Sequence, residues 1–327
     1  MDSTLQVELK CSRPEVEGFQ DYFEKAMYPS LMEMEENRVE AQKKSNRNAL
    51  LALIPLLLAI AAFFALGFSI REDALAFFSV GALYIIVACI FIARPMRKVG
   101  TDIKTFLMDS ICSFLKVDYS ATDKDFPFKV FKDAGLLPGH DDRALKDHVY
   151  GTYKKIAFNL VECHLFKTQT HGSSDSTSTS SETVYHGILI TIDYPDPITG
   201  KTLISGDSGM FRNFFKGLFH GQKIELGHSG LDDHYLIHTS DEEEARKLLS
   251  PRRVEKIMAL VEHIGPCALE MAFMDGYLLL SVRIDHSHFA VTSHNPATCT
   301  RTVGYIVQEI CIIFDLIDIL GFEEKTA

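Results

Sequence analysis

The chain has 327 residues, of which 46% are hydrophobic and 24% charged, and it contains no Trp. That length leaves room for more than one structural unit. Acidic side chains outnumber basic ones by 44 to 33, a formal net charge of -11, which disfavours a nucleic-acid partner that needs a basic face.

The first 48 residues are polar and lack the apolar core of a cleavable signal peptide, so the first apolar run is read as an anchor that stays. Within them, Phe19, Phe23, Ala26, Met27 and Met34 recur at helical spacing, predicting a helix over Glu15–Asn48 with an interruption near Pro29.

Two runs follow, 49–70 and 74–93, without an ionisable acid or base in either and separated by Arg71, Glu72 and Asp73. A helix rises about 1.5 Å per residue, so roughly 20 apolar residues cover a hydrocarbon core of ~30 Å. The segment 49–94 therefore reads as a transmembrane hairpin, with Pro55 tolerable inside its first span. Lys43, Lys44 and Arg47 precede the first span, and Arg94, Arg97 and Lys98 follow the second. The excess of basic residues at both outer ends puts both ends of the hairpin on the cytoplasmic side.

Beyond the hairpin, Val99, Ile103, Phe106, Leu107, Ile111, Phe114 and Leu115 fall at steps of three and four, predicting an amphipathic helix over 95–118. Pairing it with the N-terminal helix as an antiparallel stalk hides both apolar faces. The alternative, a helix lying on the lipid surface, is weakened because Asp102, Asp109 and Asp118 balance Lys104 and Lys116.

From about Asp142 the hydrophobic period moves toward two. Strands are predicted near 155–168, 183–194, 201–205, 223–226 and 234–238. Between the first two lies 172–182, a Ser/Thr-rich stretch without an apolar residue, read as a solvated mobile loop or a long hairpin tip, with phosphorylation as the functional alternative. Ser240 with Glu243 three residues on reads as a capping box. Ser250-Pro251 then restarts a helix whose apolar stripe is Val254, Ile257, Met258 and Val261, ended by Gly265-Pro266. Strands over 268–273 and 277–284 are joined through Asp275-Gly276, which suits a tight hairpin. The last apolar run, 302–320, contains Glu309, Asp315 and Asp318, each costing on the order of 3 kcal/mol at a bilayer centre. It therefore reads as a helix packed on the sheet rather than a third span.

The seven cysteines are scattered, without a C-x-x-C pair, and fit buried small hydrophobes in a reducing compartment. No P-loop, G-x-G-x-x-G, G-x-S-x-G or H-E-x-x-H occurs. Gly206-Asp207-Ser208-Gly209 and Gly227-His228-Ser229-Gly230 read as turns, and no catalytic residue or cofactor is assigned. Among thirteen histidines the metal candidates are His286 and His288, two apart and so on one face of a strand, with His294 nearby.

The run Ser240-Asp241-Glu242-Glu243-Glu244-Ala245-Arg246-Lys247-Leu248-Leu249-Ser250-Pro251 is the most specific piece of a wider pattern. Weaker pieces are Asp147 with Gly151, the strand carrying Phe158 and Glu162, Tyr185-His186-Gly187, and Asp275-Gly276-Tyr277. Together they resemble a widespread bacterial membrane-protein family known only as a domain of unknown function. The chain departs from it at His186, where the family shows Arg, and in its Ser/Thr-rich insert. The resemblance implies architecture and a bacterial inner membrane, and it brings no reaction.

The expected fold class is α+β: a helical segment over 1–48, the hairpin over 49–94, the membrane-proximal helix over 95–118, and a cytoplasmic domain with a mainly antiparallel sheet and packed helices over 119–327. The expected role is a non-enzymatic interaction or scaffold module anchored in the lipid bilayer. Its partner would be another protein, or a second copy of the chain. The alternatives are a ligand- or metal-sensing domain or an enzyme with an unrecognised site, and more distantly a transporter.

Overall fold

The computed structural model describes residues 6–9, 11–65, 74–122, 125–173, 176–206, 221–227, 229–264, 269–284, 289 and 291–320. The chain divides into two compact units, residues 1–111 with 290–305 and residues 112–289 with 306–327.

The first unit is helical. A short helix α1 (Phe19–Tyr22) runs through a π turn (Phe23–Met27) into α2 (Tyr28–Ala65), and α3 (Ala74–Leu115) returns. The chain does not break at Pro29. That proline follows directly on the π turn, where Tyr28 N bonds to Phe23 O five residues back, and this widened turn takes in a residue without an N–H while the helix continues. Pro55 and Pro95 both lie inside continuous helices.

The two long helices pair antiparallel. Tyr22 Oη donates to Ser110 O (3.2 Å), Ser45 Oγ to Ile92 O (2.8 Å), Asn48 Nδ2 to Phe91 O (3.3 Å) and Tyr84 Oη to Ala52 O (2.6 Å). Below the apolar section the facing sides are buried, the predicted Phe19, Phe23 and Met27 together with Leu31 on one arm and Ile103, Leu107 and Ile111 together with Met108 on the other, whereas Ala26 is exposed. Within the apolar section the faces turn outward: Leu50, Leu57, Leu58, Val80, Leu83 and Ile86 are each more than half exposed.

The segment before the last helix joins this unit, which the sequence pattern did not suggest. Glu35 accepts from Ala297 N (2.7 Å) and from Arg38 Nε and Nη2 (2.8 and 2.7 Å), while Arg38 Nη1 reaches Ser293 O (3.4 Å). The Arg38 guanidinium holds the Glu35 carboxyl below the usual carboxylate range, which favours an ionised, hydrogen-bonded pair.

The described residues of the second unit form a nine-stranded sheet in the order β1-β2-β3-β4-β9-β8-β5-β7-β6, with every pair antiparallel. The strands are β1 (Asp118–Ser120), β2 (Asp142–Tyr153), β3 (Ile156–Ser173), β4 (Ser176–Asp193), β5 (Thr202–Gly206), β6 (Gln222–Ile224), β7 (Tyr235–Thr239), β8 (Leu269–Met274) and β9 (Tyr277–Arg283). Both edge strands are only three residues long, which limits the template they offer to another chain.

Of the two readings of the Ser/Thr-rich stretch, the long hairpin is the one found and the loop is not: the β3–β4 ladder continues out to Ser173 opposite Ser176. Thr is at home in strands, and main-chain pairing needs no apolar side chain. Strand β2 contains a bulge between Lys146 and Val149, where Asp147 has φ 56°, so hydrophobic alternation is lost just where the strand would otherwise be recognised.

One face of the sheet packs on α4 (Phe128–Ala134) and the following Leu136 and Leu137. Val161, Cys163, Leu165, Tyr185, Leu189, Ala272 and Leu279 belong to the same core. The other face meets the last helix, α8 (Thr300–Leu320). Phe314 stacks on Tyr153 at 4.5 Å and meets Phe158 edge-on at 6.1 Å, and Asp318 accepts from Tyr153 Oη (3.1 Å) and Lys154 Nζ (2.6 Å). Asp318, an obstacle to a membrane span, is thus a hydrogen-bonded anchor on the sheet. Among the described residues two helices, not three, are long and apolar enough to cross a membrane.

Three helices lie between β6 and β8: α5 (Ser229–Asp232), α6 (Glu242–Leu248) and α7 (Pro251–Ile264). The cap of α6 is Asp241 rather than Ser240; Asp241 Oδ1 accepts from Glu244 N (3.0 Å). Ser240 Oγ accepts from Lys201 N (2.9 Å), and Glu243 pairs with Lys247 (2.7 Å) instead of reaching back to the cap. Two adjacent residues were both competent to cap, and the neighbouring strand occupies one of them.

The Glu244 carboxylate shows why this run is the most specific part of the pattern. Oε1 accepts from Thr199 N (2.7 Å) and Thr199 Oγ1 (2.9 Å), and Oε2 accepts from Gly200 N (2.7 Å). A Cβ on Gly200 would stand 2.7 Å from that same Oε2, so the residue must be small. Ala245, Leu248 and Leu249 are buried beneath. Glu244→Ala is expected to lower stability by about 1–3 kcal/mol and to raise amide exchange over 195–201. Glu244→Gln, which keeps one acceptor oxygen, should lose less. Equal exchange in all three proteins would show the clamp to be unimportant.

Candidate functional site

Alternation along β3 places Glu162, His164 and Phe166 toward one face, while Val161, Cys163 and Leu165 join the α4-side core. In the β3–β4 register His164 stands opposite His186 and Glu162 opposite Ile188. The two imidazoles stack at 4.0 Å between centroids with 18° between planes, and Phe166 lies nearly parallel to His164 at 6.4 Å.

Both rings direct Nε2 at one oxygen. His164 Nε2 is 3.0 Å and His186 Nε2 3.1 Å from Glu162 Oε1. The Glu162 side chain is 3% exposed, and each histidine is 20% exposed. The arrangement is therefore closed on the carboxylate side and open on the imidazole side. Two nitrogens and one oxygen, all within 4.8 Å of one another, form a donor set of the kind divalent ions take. Lys146 is the register partner of Glu162 on β2, and its side chain is exposed.

The histidines proposed from sequence are placed differently. His286 and His288 lie outside the described residues, and His294 is exposed, its backbone N donating to Thr292 Oγ1 (3.3 Å). The Glu162-x-His164 alternation was visible in the sequence, but only the strand register brings His186 to it from 22 positions away. The Gly-flanked Ser229 begins α5, and the Asp232 carboxylate ties the preceding turn to that helix by accepting from Leu226 N (3.2 Å) and Gly227 N (2.8 Å). Of the other Gly-flanked serine turn, 207–209 lie outside the described residues.

On the opposite face a second polar group is buried. Tyr185 Oη lies 2.8 Å from Ser281 Oγ, Arg283 stands over the Tyr185 ring at 5.7 Å, and Glu270 is the register partner of Ser281. Burial pushes the Glu270 carboxyl up to about 8, against a smaller opposing pull from Arg283, and its Oε2 has no hydrogen-bond partner among the described residues. Burial likewise raises the Cys163 thiol to about 12, which leaves it protonated and unreactive at neutral pH. The six described cysteines are free thiols.

The basic residues that flank the apolar section are all exposed: Lys43, Lys44 and Arg47 on α2, and Arg94, Arg97 and Lys98 on α3. Because Ser45 bonds to Ile92 across the helix pair, the two clusters lie at the same end of the apolar section. A cleft of about 700 Å³ opens beside them, lined by Glu40 and Lys44 from one helix and Lys98 and Asp102 from the other.

These features define an α+β protein with two helices long and apolar enough to cross a membrane and, among the described residues, no recognised catalytic constellation. Residues 183–321 match the family described as "Protein of unknown function (DUF3137)", so the chain resembles an uncharacterised family. The match takes in most of β4 and everything to α8, including His186 and the Glu244 clamp, but not Glu162 or His164. Among solved structures, the crystal structure of the mycobacterial trehalose monomycolate transport factor A, TtfA, is similar. Identity is 13%, the alignment covers 67% of this chain and 96% of that one, and the TM-score is 0.34. A likeness at that level supports no statement about activity. No curated protein matches the chain.

Proposed function

We propose that the protein is a membrane-anchored interaction module: the helical hairpin sits in the bacterial inner membrane, and the α+β domain faces the cytoplasm to bind another protein. The observation that carries this reading is the exposure of the apolar helices. Their most apolar windows have mean hydropathy 1.5 and 1.9, yet only 6% and 0% of those windows is buried. Core helices of a soluble domain would be covered by the rest of the fold, whereas these need a lipid solvent. Placing six basic side chains at one end of the section supports cytoplasmic termini, since such residues resist translocation.

The remainder of the unit favours positioning over turnover. Buried faces and interhelical hydrogen bonds continue the membrane pair as a stalk. Removing 49–94 from the full chain is expected to release it from alkali-washed membranes, while the intact chain stays in the pellet. A reporter joined after Ala327 should report the cytoplasm. Release of the intact chain by alkali, or an external reporter, would end the proposal. A protein enriched with the intact chain, and not with the hairpin alone, would identify the partner.

A further inference from the structure

We propose that Glu162, His164 and His186 form a binding site for one divalent transition-metal ion of the zinc class. The inference rests on the β3–β4 geometry and is independent of the membrane reading. Ligands about 2.0–2.1 Å from a tetrahedral zinc ion stand about 3.3–3.4 Å from one another. The two imidazole-to-carboxylate separations, 3.0 and 3.1 Å, already come within a few tenths of an ångström of that spacing. Admitting an ion requires the two rings to turn out of their stack until the in-plane lone pair of each Nε2 points at it.

The backbone supplies preorganisation. His164 and His186 are direct cross-strand partners in a ladder of regular register between Phe158 and Leu165, and Glu162 is two residues along the same strand. Such a platform positions ligands better than a loop does. The imidazoles are stacked at 4.0 Å, and because each Nε2 lone pair lies in its ring plane, the stack must open for both to meet one ion. Coordination requires both rings to carry their proton on Nδ1, so that each Nε2 presents its lone pair to the ion. The hydrogen bonds now made to Oε1 are then replaced by three metal bonds.

Donor chemistry sets the class. Two neutral imidazoles and a carboxylate suit zinc and its first-row neighbours, whereas calcium and magnesium favour oxygen alone. The carboxylate is buried and the imidazoles are partly open, so the coordination position left over faces solvent. A site with three protein ligands and one open position holds water or a small exchangeable ligand, unlike a closed four-ligand structural site.

The test uses the full chain in detergent, stripped with chelator, then dialysed against zinc and analysed for metal content, with cobalt as a spectroscopic probe. One zinc per chain is expected, together with the visible absorption of cobalt in a low-symmetry N/O environment. His164→Ala should weaken zinc binding by about 100-fold or more, beyond the 10–100-fold typical of losing an outer partner. His186→Arg is the second variant. It keeps a donor for Glu162 and so protects the fold, yet it cannot ligate, and it should bind no more zinc than His164→Ala while retaining the wild-type circular dichroism. Zinc should raise the thermal midpoint of the wild type only. Absence of zinc from the wild type at 100-fold excess, or undiminished binding in both variants, would overturn the site.

Discussion

Replacing Gly187 with alanine is expected to abolish folding of the sheet unit or to cost more than about 3 kcal/mol, one of the largest effects of any single methyl group in this protein. Gly187 lies in β4, opposite Arg283 of β9. A Cβ there would collide with Tyr185 Oη and Cζ and with the main-chain oxygen of Val282. The tyrosine lies across the glycine so that its hydroxyl reaches Ser281 Oγ at 2.8 Å and Val282 O at 3.4 Å. Side chains can swing away, but the Val282 oxygen belongs to the neighbouring strand and moves only if the β4–β9 ladder opens. Tyr185→Ala should therefore fail to rescue Gly187→Ala, although it removes one of the two clashes. Tyr185→Phe alone should cost only about 1 kcal/mol, the net value of its hydrogen bonds. Far-UV circular dichroism is the natural readout, since the chain has no Trp to report by fluorescence. A double variant as stable as Tyr185→Ala would place the whole strain on the side chain and contradict the backbone argument.

The second large effect is a pH dependence centred on Glu270. The residue is 8% exposed, is the register partner of Ser281, and faces Arg283 and Tyr185 from β9 and β4. Burial raises its carboxyl from 4.5 to about 8, so the folded chain holds a proton that the unfolded chain has released. Stability from this group is complete below about pH 4.5 and is lost as pH rises toward 8. At ~1.4 kcal/mol per unit, the shift amounts to a few kcal/mol between those limits. Glu270→Gln keeps the shape and remains neutral throughout. It should match the wild type near pH 5 and exceed it near pH 9, with a flatter stability curve between. Parallel curves for the two proteins would mean that Arg283 neutralises the carboxylate and that the acid is ionised when folded.

The two effects share an origin. Tyr185, Gly187, Glu270, Ser281 and Arg283 come from three strands and meet on the face that also carries Cys163 and Leu189. The same β4 sends Tyr185 to this buried network and His186 to the imidazole pair on the other face. The segment Tyr185-His186-Gly187 thus serves both faces of the sheet, and its most constrained member is the smallest.

Much of the fold was legible because its signals are local. The stalk arms, the two apolar runs, the Asp275-Gly276 hairpin with positive φ at both residues, and the stripe on α8 each follow from a short window of residue types. Where a signal was interrupted or shared, the reading failed in a physically specific way. The bulge at Asp147 hid β2, the polar ends of β3 and β4 left loop and hairpin undecided, and Ser240 competed with Asp241 for the cap of α6.

The sequence by itself determined the surroundings each part favours: the apolar runs are long and apolar enough to cross a membrane, amphipathic arms need a partner face, and alternating stretches need a core on one side. Solvent preference is a property of residues and their period, so it survives without knowledge of the fold. What only the tertiary structure decided was which distant residues meet. The register placing His164 against His186, the return of 290–305 to Glu35 and Arg38, and the approach of β9 to Gly187 all depend on pairing between strands and helices far apart in the chain. A shift of one residue in a strand reverses every side chain on it, and that choice is made by the packing of the whole sheet.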